Sequence, residues 1–478
     1  MEYYFEYNSW NDEEKSSLRR FEGMLLGGKS TYFDVEEFEL IIDYYLLERG
    51  DMTMALRAIE IADLQHPAVT EIQLRKVEVL TCVGRNSDAI GILNRLEKIE
   101  DSMLVQLFKA RSFTMQGKVK EGTRIFDRLL ADADDDAELM HIFTMAADSL
   151  IRQYEYQKAL RYLLAAHSRF APPPLHVLGS MAYCYLQIGD WENALLFYNK
   201  SIDEDPHDAY LWNALSEVYL NMDKDLEAIE AADYALLLAP KMDVAYYNKV
   251  DALLSLERTD EAVSVLREYI EQQPNDVEAH CRLGECYEQK NLFAEAKQCY
   301  EQVIKIDDKY AGAYYGLASV ADEAGDVEAA YTYLQHSVEL EPENPEFWFA
   351  LSQAQATRDD VQEALASLDR VVALDKYDVE AWMKMAEYSF MLYDVPETIA
   401  VLEQAFTANF DVAEVAYRLA ALYYYSCDMN SCLLYLERGL KINIELVSEF
   451  FDACTEAHDE TEVMNLYKKY KPSKKSKK

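Results

Sequence analysis

Length, composition and charge already narrow the possibilities for this chain of 478 residues. Half of the residues are hydrophobic and only 15 are glycine, which favours an almost entirely helical protein. The 87 acidic residues outnumber the 46 basic ones and give a net charge of −41. Such a field repels nucleic acid and anionic lipid and attracts cationic partners, although solubility alone also explains an acidic composition.

Targeting and redox features indicate a cytoplasmic protein. No run of 18 apolar residues predicts a transmembrane helix, and the acidic, aromatic N-terminus does not resemble a secretory signal. The eight cysteines form no C-x-x-C pair. We interpret them as reduced, small apolar residues of the core.

The N-terminal segment, residues 1–35, contains one predicted helix. Residues 12–26 place Leu18, Phe21 and Met24 on one face, and the glycines at 27 and 28 end the helix. We expect this helix to cap a stack of repeats, because an open stack otherwise exposes apolar surface at its end. Dimerisation through an aromatic end is the alternative.

Small residues recur at uneven intervals between residues 36 and 174. Ala55, Ala89, Gly122 and Ala159 are separated by 34, 33 and 37 residues. This spacing predicts four helical repeats of variable length. Three prolines at 172–174 follow them and form either a kink or a longer loop.

Residues 175–446 repeat with a strict period of 34. Alanines stand at 194, 228, 262, 296, 330 and 364, and Thr398 and Cys432 continue the series. A small residue lies twelve positions before seven of these eight sites, with Val250 as the exception. A fixed period of this length is typical of a solenoid.

Large residues and helix stops follow the same period. Tyrosine or leucine comes four residues after the small site in most repeats, as at Tyr198 and Tyr300. Prolines at 206, 240, 274 and 342 predict the end of the second helix of a pair. Glycine and aspartate at 189–190 and 325–326 predict the turn and the N-cap between the two helices.

These combined positions resemble the tetratricopeptide repeat family, whose unit is a helix–turn–helix of 34 residues. The resemblance covers roughly residues 36–446. It implies an all-α protein, a right-handed α-solenoid superhelix of about twelve repeats with helical caps. Lys376, Phe410 and Ile444 replace the expected proline late in the chain.

The C-terminal part has two predicted segments. Residues 447–470 form a capping helix region with Val447, Phe450 and Phe451 among its apolar residues. The lysine-rich tail, residues 471–478, belongs to a stretch with seven lysines in the last eleven residues. We expect the tail to be disordered when unbound, because it has no apolar side chains to bury.

Motifs for metal binding or catalysis are missing from the sequence. Residues 132–138 alternate carboxylates as a calcium loop does, but Ala137 and Phe143 occupy the positions of the required glycine and bidentate glutamate. The histidines form no zinc motif, and no phosphate-binding loop or nucleophile elbow occurs. We therefore predict no metal, no cofactor and no enzymatic activity.

The resemblance also implies where a partner binds, because the first helix of each repeat lines the concave groove in this family. Carboxylates and aromatic rings occupy these sites, and both suit Lys or Arg side chains. The groove residues implied are Tyr183, Tyr210, Glu217, Tyr247, Asp251, Glu285, Glu288, Tyr315, Asp322, Glu323, Phe349, Glu387, Phe390, Tyr417, Tyr424 and Tyr425. Some of these tyrosines have packing between repeats as their alternative role.

Three functions remain open at this stage. The first is a scaffold or escort that binds a basic protein segment in the groove. The second is a structural or self-associating solenoid whose lysine tail docks in an acidic groove. The third is an inert body whose tail anchors it to nucleic acid or membrane. The partner, the process and the oligomeric state do not follow from the sequence.

Overall fold

A computed structural model describes residues 12–27, 31–67, 69–100, 102–408 and 411–471. Within these ranges the chain forms helices and no strand. None of the helices there is long and apolar enough to cross a membrane. The prediction for the lysine-rich tail lies outside the described residues, apart from Lys471.

The capping helix and the four irregular repeats contain the first nine α-helices of the described chain. A π-helix, Tyr44–Glu48, directly extends the second of them. The nine are α1 (Asp12–Leu25), α2 (Val35–Asp43), α3 (Met52–Gln65), α4 (Thr70–Cys82), α5 (Asn86–Leu96), α6 (Met103–Met115), α7 (Val119–Asp132), α8 (Asp136–Ile151) and α9 (Tyr156–Arg169).

The regular repeats each pair a first helix with a second helix of 14 residues. The first helices are α10 (Leu175–Gln187), α12 (Ala209–Asn221), α14 (Asp243–Ser255), α16 (Val277–Gln289), α18 (Ala311–Glu323), α20 (Pro345–Thr357), α22 (Val379–Leu392) and α24 (Ala413–Tyr425). The second helices are α11 (Trp191–Glu204), α13 (Asp225–Leu238), α15 (Thr259–Gln272), α17 (Phe293–Ile306), α19 (Val327–Leu340), α21 (Val361–Leu374), α23 (Val395–Ala408) and α25 (Met429–Ile442).

Consecutive helices pack against each other along each of two compact units, which confirms the predicted α-solenoid. The first unit ends at Ala252 and the second begins at Leu253, inside α14. The predicted change from irregular to regular repeats at residue 174 lies within the first unit. Pro174 is the N-cap residue of α10, so the prolines at 172–174 lie in the connection before that helix.

The turns and the helix ends lie at the positions predicted from glycine, aspartate and proline. Gly189 and Gly325 have φ of 77° and 73°, a left-handed conformation that glycine adopts without steric cost. The following Asp190 and Asp326 accept the backbone N–H groups of Asn193 and Ala329 and so cap α11 and α19. Each second helix that precedes a proline ends two residues before it, as α11 does at Glu204.

Small residues allow close helix packing at the predicted sites. The alanine sites are almost completely buried. Tyr300, at a large site, packs against two glycines of first helices. Its ring is 1% exposed and lies where a Cβ on Gly284 or Gly316 would be only 2.6 or 2.3 Å from it. The large residue Tyr300 therefore packs between the small site Gly284 and a second glycine, Gly316, of the next first helix.

The two ends differ from each other. At the N-terminal end, α1 matches the predicted helix, and Leu18 and Phe21 are buried. At the C-terminal end a single helix was expected, but the chain forms α26 (Ser448–Ala453) and α27 (Thr461–Tyr470), with 3-10 turns before and between them. The break lets α27 return to α25, where Lys469 Nζ and the Tyr470 hydroxyl donate to Glu437 Oε1 at 3.0 and 2.6 Å.

Candidate functional site

The ninth residue of each first helix forms a series along the repeats. In the first unit the series includes Asp43, Glu78, Arg111, Tyr183, Glu217 and Asp251, and in the second unit Glu285, Ser319, Gln353, Glu387 and Ala421. We call these the ninth-position residues. They contain four of the predicted groove carboxylates and one of the predicted tyrosines.

Most of the predicted groove residues are accessible in the structure. Six side chains are partly buried, namely Glu217, Tyr247, Glu288, Tyr315, Phe349 and Tyr424. Nine are exposed, namely Tyr183, Tyr210, Asp251, Glu285, Asp322, Glu323, Glu387, Phe390 and Tyr425.

The assignment of Tyr417 to the groove was wrong. Its side chain is 0% exposed, and its ring lies 2.7 Å from the position of a Cβ on Gly439. The hydroxyl donates to the backbone carbonyl of Asn443 at 2.8 Å. Tyr417 therefore fills a seam between helices and fixes the end of α25.

Glu217 is the central carboxylate of the predicted set in the first unit. It is partly buried, and the hydroxyl groups of Tyr183 and Tyr198 are near enough for its charge to raise the pKa of both tyrosines, beyond the larger effect of their own burial. Burial also raises the pKa of Glu217 itself. No Lys or Arg in the described chain forms an ion pair with this carboxylate.

Glu285 occupies the same position in the second unit. Burial raises its pKa, with Arg282 as the opposing influence. Arg282 instead donates to Glu278 Oε1 at 2.7 Å, and the Glu285 carboxylate receives only the weak S–H bond of Cys281 at 3.7 Å. Neither neighbour supplies Glu285 with an ion pair.

Glu288 lies one turn further along α16. Its Oε2 accepts a hydrogen bond of 2.8 Å from Ser319, whereas its Oε1 is buried without a hydrogen-bond partner. Burial and then the charge of Glu288 raise the pKa of the adjacent Tyr300. Ser319 was missed by the sequence reasoning, although its ninth position in α18 is the signal that identifies it.

The remaining predicted residues have individual partners. The Tyr315 hydroxyl donates to Glu346 Oε1 at 3.0 Å, and its ring contacts Phe347. Glu387 forms an ion pair of 3.0 Å with Lys384. Glu387 is thus neutralised within its own helix.

In the first three irregular repeats the ninth-position residues form a chain of ion pairs, whereas the fourth has Thr144 at this position. Arg75 connects Asp43 at 3.1 Å with Glu78 at 2.8 Å, and Arg111 follows at 3.8 Å from Glu78. We call these four residues the ion-pair ladder. The sequence reasoning missed it, because the uneven spacing of these repeats hides the equivalence of their positions.

Six of the eight cysteines are buried as expected for core residues, whereas Cys82 and Cys427 are exposed. Burial raises the pKa of Cys184 and Cys432 to about 12 and that of Cys299 to about 11. Such thiols stay protonated and are poor nucleophiles.

Two sequence models, both described as tetratricopeptide repeat, match the chain. One matches residues 144–209 and 214–277, and the other matches residues 253–321 and 321–388. Together the matches cover about half of the chain, including most of the regular repeats.

Curated proteins with similar sequences are named for the same repeat. Tetratricopeptide repeat-containing protein trd-1 of Caenorhabditis elegans is 25% identical over 165 residues, which is 34% of this chain and 21% of that protein. TPR repeat-containing protein MJ1428 of Methanocaldococcus jannaschii is 20% identical over 237 residues, which is 44% of this chain and 40% of that protein. The chain matches less than half the length of either relative.

Solved structures also share similarity with this chain. The crystal structure of MamA has a TM-score of 0.31 at 22% identity and covers 34% of this chain and 95% of its own. The crystal structure of the APC/C hetero-tetramer Cut9–Hcn1 has a TM-score of 0.37 at 12% identity and covers 96% of this chain and 99% of its own.

Proposed function

The chain belongs to the tetratricopeptide repeat family, and from this premise we propose that it is a non-catalytic scaffold or escort that binds a basic protein segment. Tetratricopeptide repeats serve as protein–protein interaction scaffolds, and stacked repeats offer an extended surface. Within each of the two units, the binding surface is formed by first helices of the regular repeats, at the acidic ninth-position residues and their neighbours.

The observation that carries this proposal is a set of carboxylates without an ion pair, of which Glu217 and Glu288 are partly buried and Glu285 is exposed. Glu217 in the first unit and Glu285 and Glu288 in the second have hydroxyl or thiol neighbours, and none forms an ion pair within the described chain. Removing an ionised carboxylate from water without pairing it destabilises the charged form, which explains the raised pKa of Glu217 and Glu285.

A Lys or Arg side chain from a partner stabilises the ionised form of these carboxylates, which burial destabilises. It supplies the missing opposite charge to these carboxylates, and the hydrogen bond is charge-assisted. Exposed aromatic rings of other first helices, Tyr183 of α10 and Phe390 of α22 among them, contribute cation–π contacts of ~0.5–2 kcal/mol each. An acidic partner gains neither interaction.

The test measures binding of a fluorescein-labelled poly-lysine peptide by anisotropy, with a poly-glutamate peptide as the comparison. The variant combines Glu217→Gln, Glu285→Gln and Glu288→Gln. We expect at least a tenfold loss of affinity for the lysine peptide, since each lost charge-assisted contact is worth ~1.5 kcal/mol or more.

A matched control combines Glu204→Gln, Glu268→Gln and Glu271→Gln on the second helices α11 and α15. It changes the net charge equally, with one site in the first unit and two in the second, at exposed positions. Equal losses in both triple variants would show that only net charge matters. Equal binding of the glutamate peptide by the unmodified protein would contradict the proposal itself.

A further inference from the structure

The connection after α22 departs from the other regular repeats. In seven of the eight, the residue that links the first helix to the second adopts a left-handed φ between 54° and 77°, from Gly189 through to Cys427. The equivalent residue Tyr393 has φ −123° and ψ −176°, an extended conformation. Accordingly, α22 has 14 residues, whereas the other first helices of the regular repeats have 13.

Four large apolar side chains lie exposed at this connection. Phe390, Met391, Leu392 and Tyr393 are 57%, 63%, 41% and 49% exposed, and we call them the apolar patch. They follow directly after Tyr388 and Ser389, which are buried in the core between repeats. The core therefore ends just before the patch, and the patch makes no contribution to it.

Equivalent positions elsewhere in the second unit carry the residues expected at a solvated surface. This holds for residues 288–291, 322–325 and 356–359, with the sequences Glu-Gln-Lys-Asn, Asp-Glu-Ala-Gly and Ala-Thr-Arg-Asp, whereas residues 254–257, Leu-Ser-Leu-Glu, include two leucines that are partly buried. In the following repeat, aromatic residues return at two of these positions, Tyr424 and Tyr425. A contiguous exposed apolar surface of this kind is typical of an interaction site.

The surroundings of the patch are acidic. Residues 375–414 contain nine carboxylates and two lysines, and Lys384 is already engaged by Glu387. Asp394 follows the patch directly and Glu397 lies in the first turn of α23, and no ion pair in the described chain involves either of them. Charge complementarity therefore selects a partner segment that is cationic on both sides of an apolar centre.

We propose that the apolar patch anchors large apolar side chains of the partner, and that Lys or Arg residues flank these side chains in the partner sequence. This inference rests on the proposed function, because it assumes that the partner segment is basic. It adds that charge alone is insufficient for full affinity, and that Phe390 and Met391 supply the anchor.

The experiment measures, by fluorescence anisotropy, the affinity of the protein for two peptides of equal length and charge. In one, lysines flank a central Trp-Leu pair, and in the other, the same lysines flank Ala-Ala. We expect the Trp-Leu peptide to bind about tenfold more tightly, because its apolar side chains are transferred from water to the surface of the apolar patch. The double variant Phe390→Ser with Met391→Ser should abolish this advantage, and it should weaken binding of the Ala-Ala peptide by no more than the loss of the single cation–π contact of Phe390.

The control variant combines Leu226→Ser with Leu237→Ser on α13, whose side chains are 59% and 75% exposed. It removes a similar exposed apolar area from a second helix and should retain the tenfold preference. Circular dichroism melting of both double variants checks that neither loses stability, as is expected for exposed positions.

Each outcome decides a separate question. Failure of both peptides to bind contradicts the proposed function. Binding of both peptides with equal affinity supports the proposed function and overturns the anchor. Sedimentation velocity tests a further possibility. If the unmodified protein is a dimer and the Phe390→Ser, Met391→Ser variant is a monomer, a second copy of the chain covers the patch. That result also overturns the anchor.

Discussion

The irregular repeats, residues 36–174, contain 17 basic and 23 acidic residues, whereas the regular repeats, residues 175–446, contain 18 basic and 51 acidic residues. The difference appears in the ninth-position residues. In the irregular repeats the ion-pair ladder satisfies Asp43 and Glu78 through Arg75, but in the regular repeats Glu217 and Glu285 have no such partner. Ninth-position carboxylates are thus ion-paired in the irregular repeats, whereas Glu217 and Glu285 of the regular repeats form no ion pair within the described residues.

Tightly packed glycines occur in both regions, and replacing them by alanine should have the largest effect on stability. A Cβ at Gly122 would lie 2.0 Å from Thr114 Oγ1 and 2.8 Å from the Ala110 carbonyl, and one at Gly316 would lie 2.3 Å from the Tyr300 ring. We expect Gly122→Ala and Gly316→Ala each to reduce the free energy of unfolding by ~2–3 kcal/mol, measured by urea denaturation.

Gly91→Ala in α5 is the matched control for these substitutions, because no atom lies within 4 Å of its added Cβ. It should stabilise the protein by ~0.5–1 kcal/mol, as alanine does inside a helix. A loss at only one of the two tight glycines would show that packing, like charge, differs between the regions.

Breaking the ion-pair ladder should have the next largest effect. Arg75→Met leaves Asp43 without a cation and Glu78 with only the more distant Arg111, and Asp43 Oδ1 already lacks a hydrogen-bond partner. We expect a loss of ~1–2 kcal/mol, below the value for a fully buried pair because the side chain of Arg75 is 30% exposed.

Adding Asp43→Asn to the Arg75→Met variant should recover most of that loss, since Glu78 keeps its ion pair with Arg111 and no carboxylate of the ladder then remains unpaired. If the single variant is as stable as the original protein in urea denaturation, the ladder is not a stabilising feature of the irregular repeats.

Neutralising the unpaired carboxylates should have a smaller effect of the opposite sign. The pKa of Glu217 and Glu285 is raised in the folded protein above its ordinary value of 4.5, so the folded state binds more protons than the unfolded state in the window above that value. Their charge therefore destabilises the fold as pH rises through the raised pKa. The Glu217→Gln, Glu285→Gln variant should melt a few degrees higher at pH 7 and show no gain at pH 4.

The same pair of groups predicts how partner binding depends on pH. A protonated carboxylate attracts no cation, so affinity for a basic peptide should fall as pH drops towards the raised pKa values. The Gln variant should bind more weakly and lose this part of the pH dependence. A gain in melting temperature that is equal at pH 4 and pH 7 would mean that burial of these charges is not its cause.

Much of the fold follows from the period of 34 residues. The alanine sites, the glycine–aspartate turns and the helix ends before prolines all act as predicted, because they depend on neighbours within one repeat. Helices α21 and α25 end at the same place in the repeat without a proline, at Leu374 and Ile442. The repeat geometry itself is therefore sufficient to end them.

The candidate site was predictable only in part. The period identified which residues share a helix face, and it correctly placed Glu217 and Glu285 at equivalent positions. It did not distinguish Tyr417, which fills a seam, from Tyr183, which is exposed. Both are tyrosines of a first helix, but Tyr417 is the fifth residue of its helix and Tyr183 the ninth, and at Tyr417 the backbone of Gly439 lies close to the ring.

A local pattern of small, large and turn residues is thus enough to specify the helices and their order, since each repeat contacts chiefly its sequence neighbours. The ion pairs of a carboxylate depend instead on side chains about 30 residues away, such as Arg75 for Asp43. The exposed patch after α22 and the break between α26 and α27 depend likewise on backbone angles and on packing against a distant helix. Only the packed structure decides these features, because they arise from contacts that a linear period does not encode.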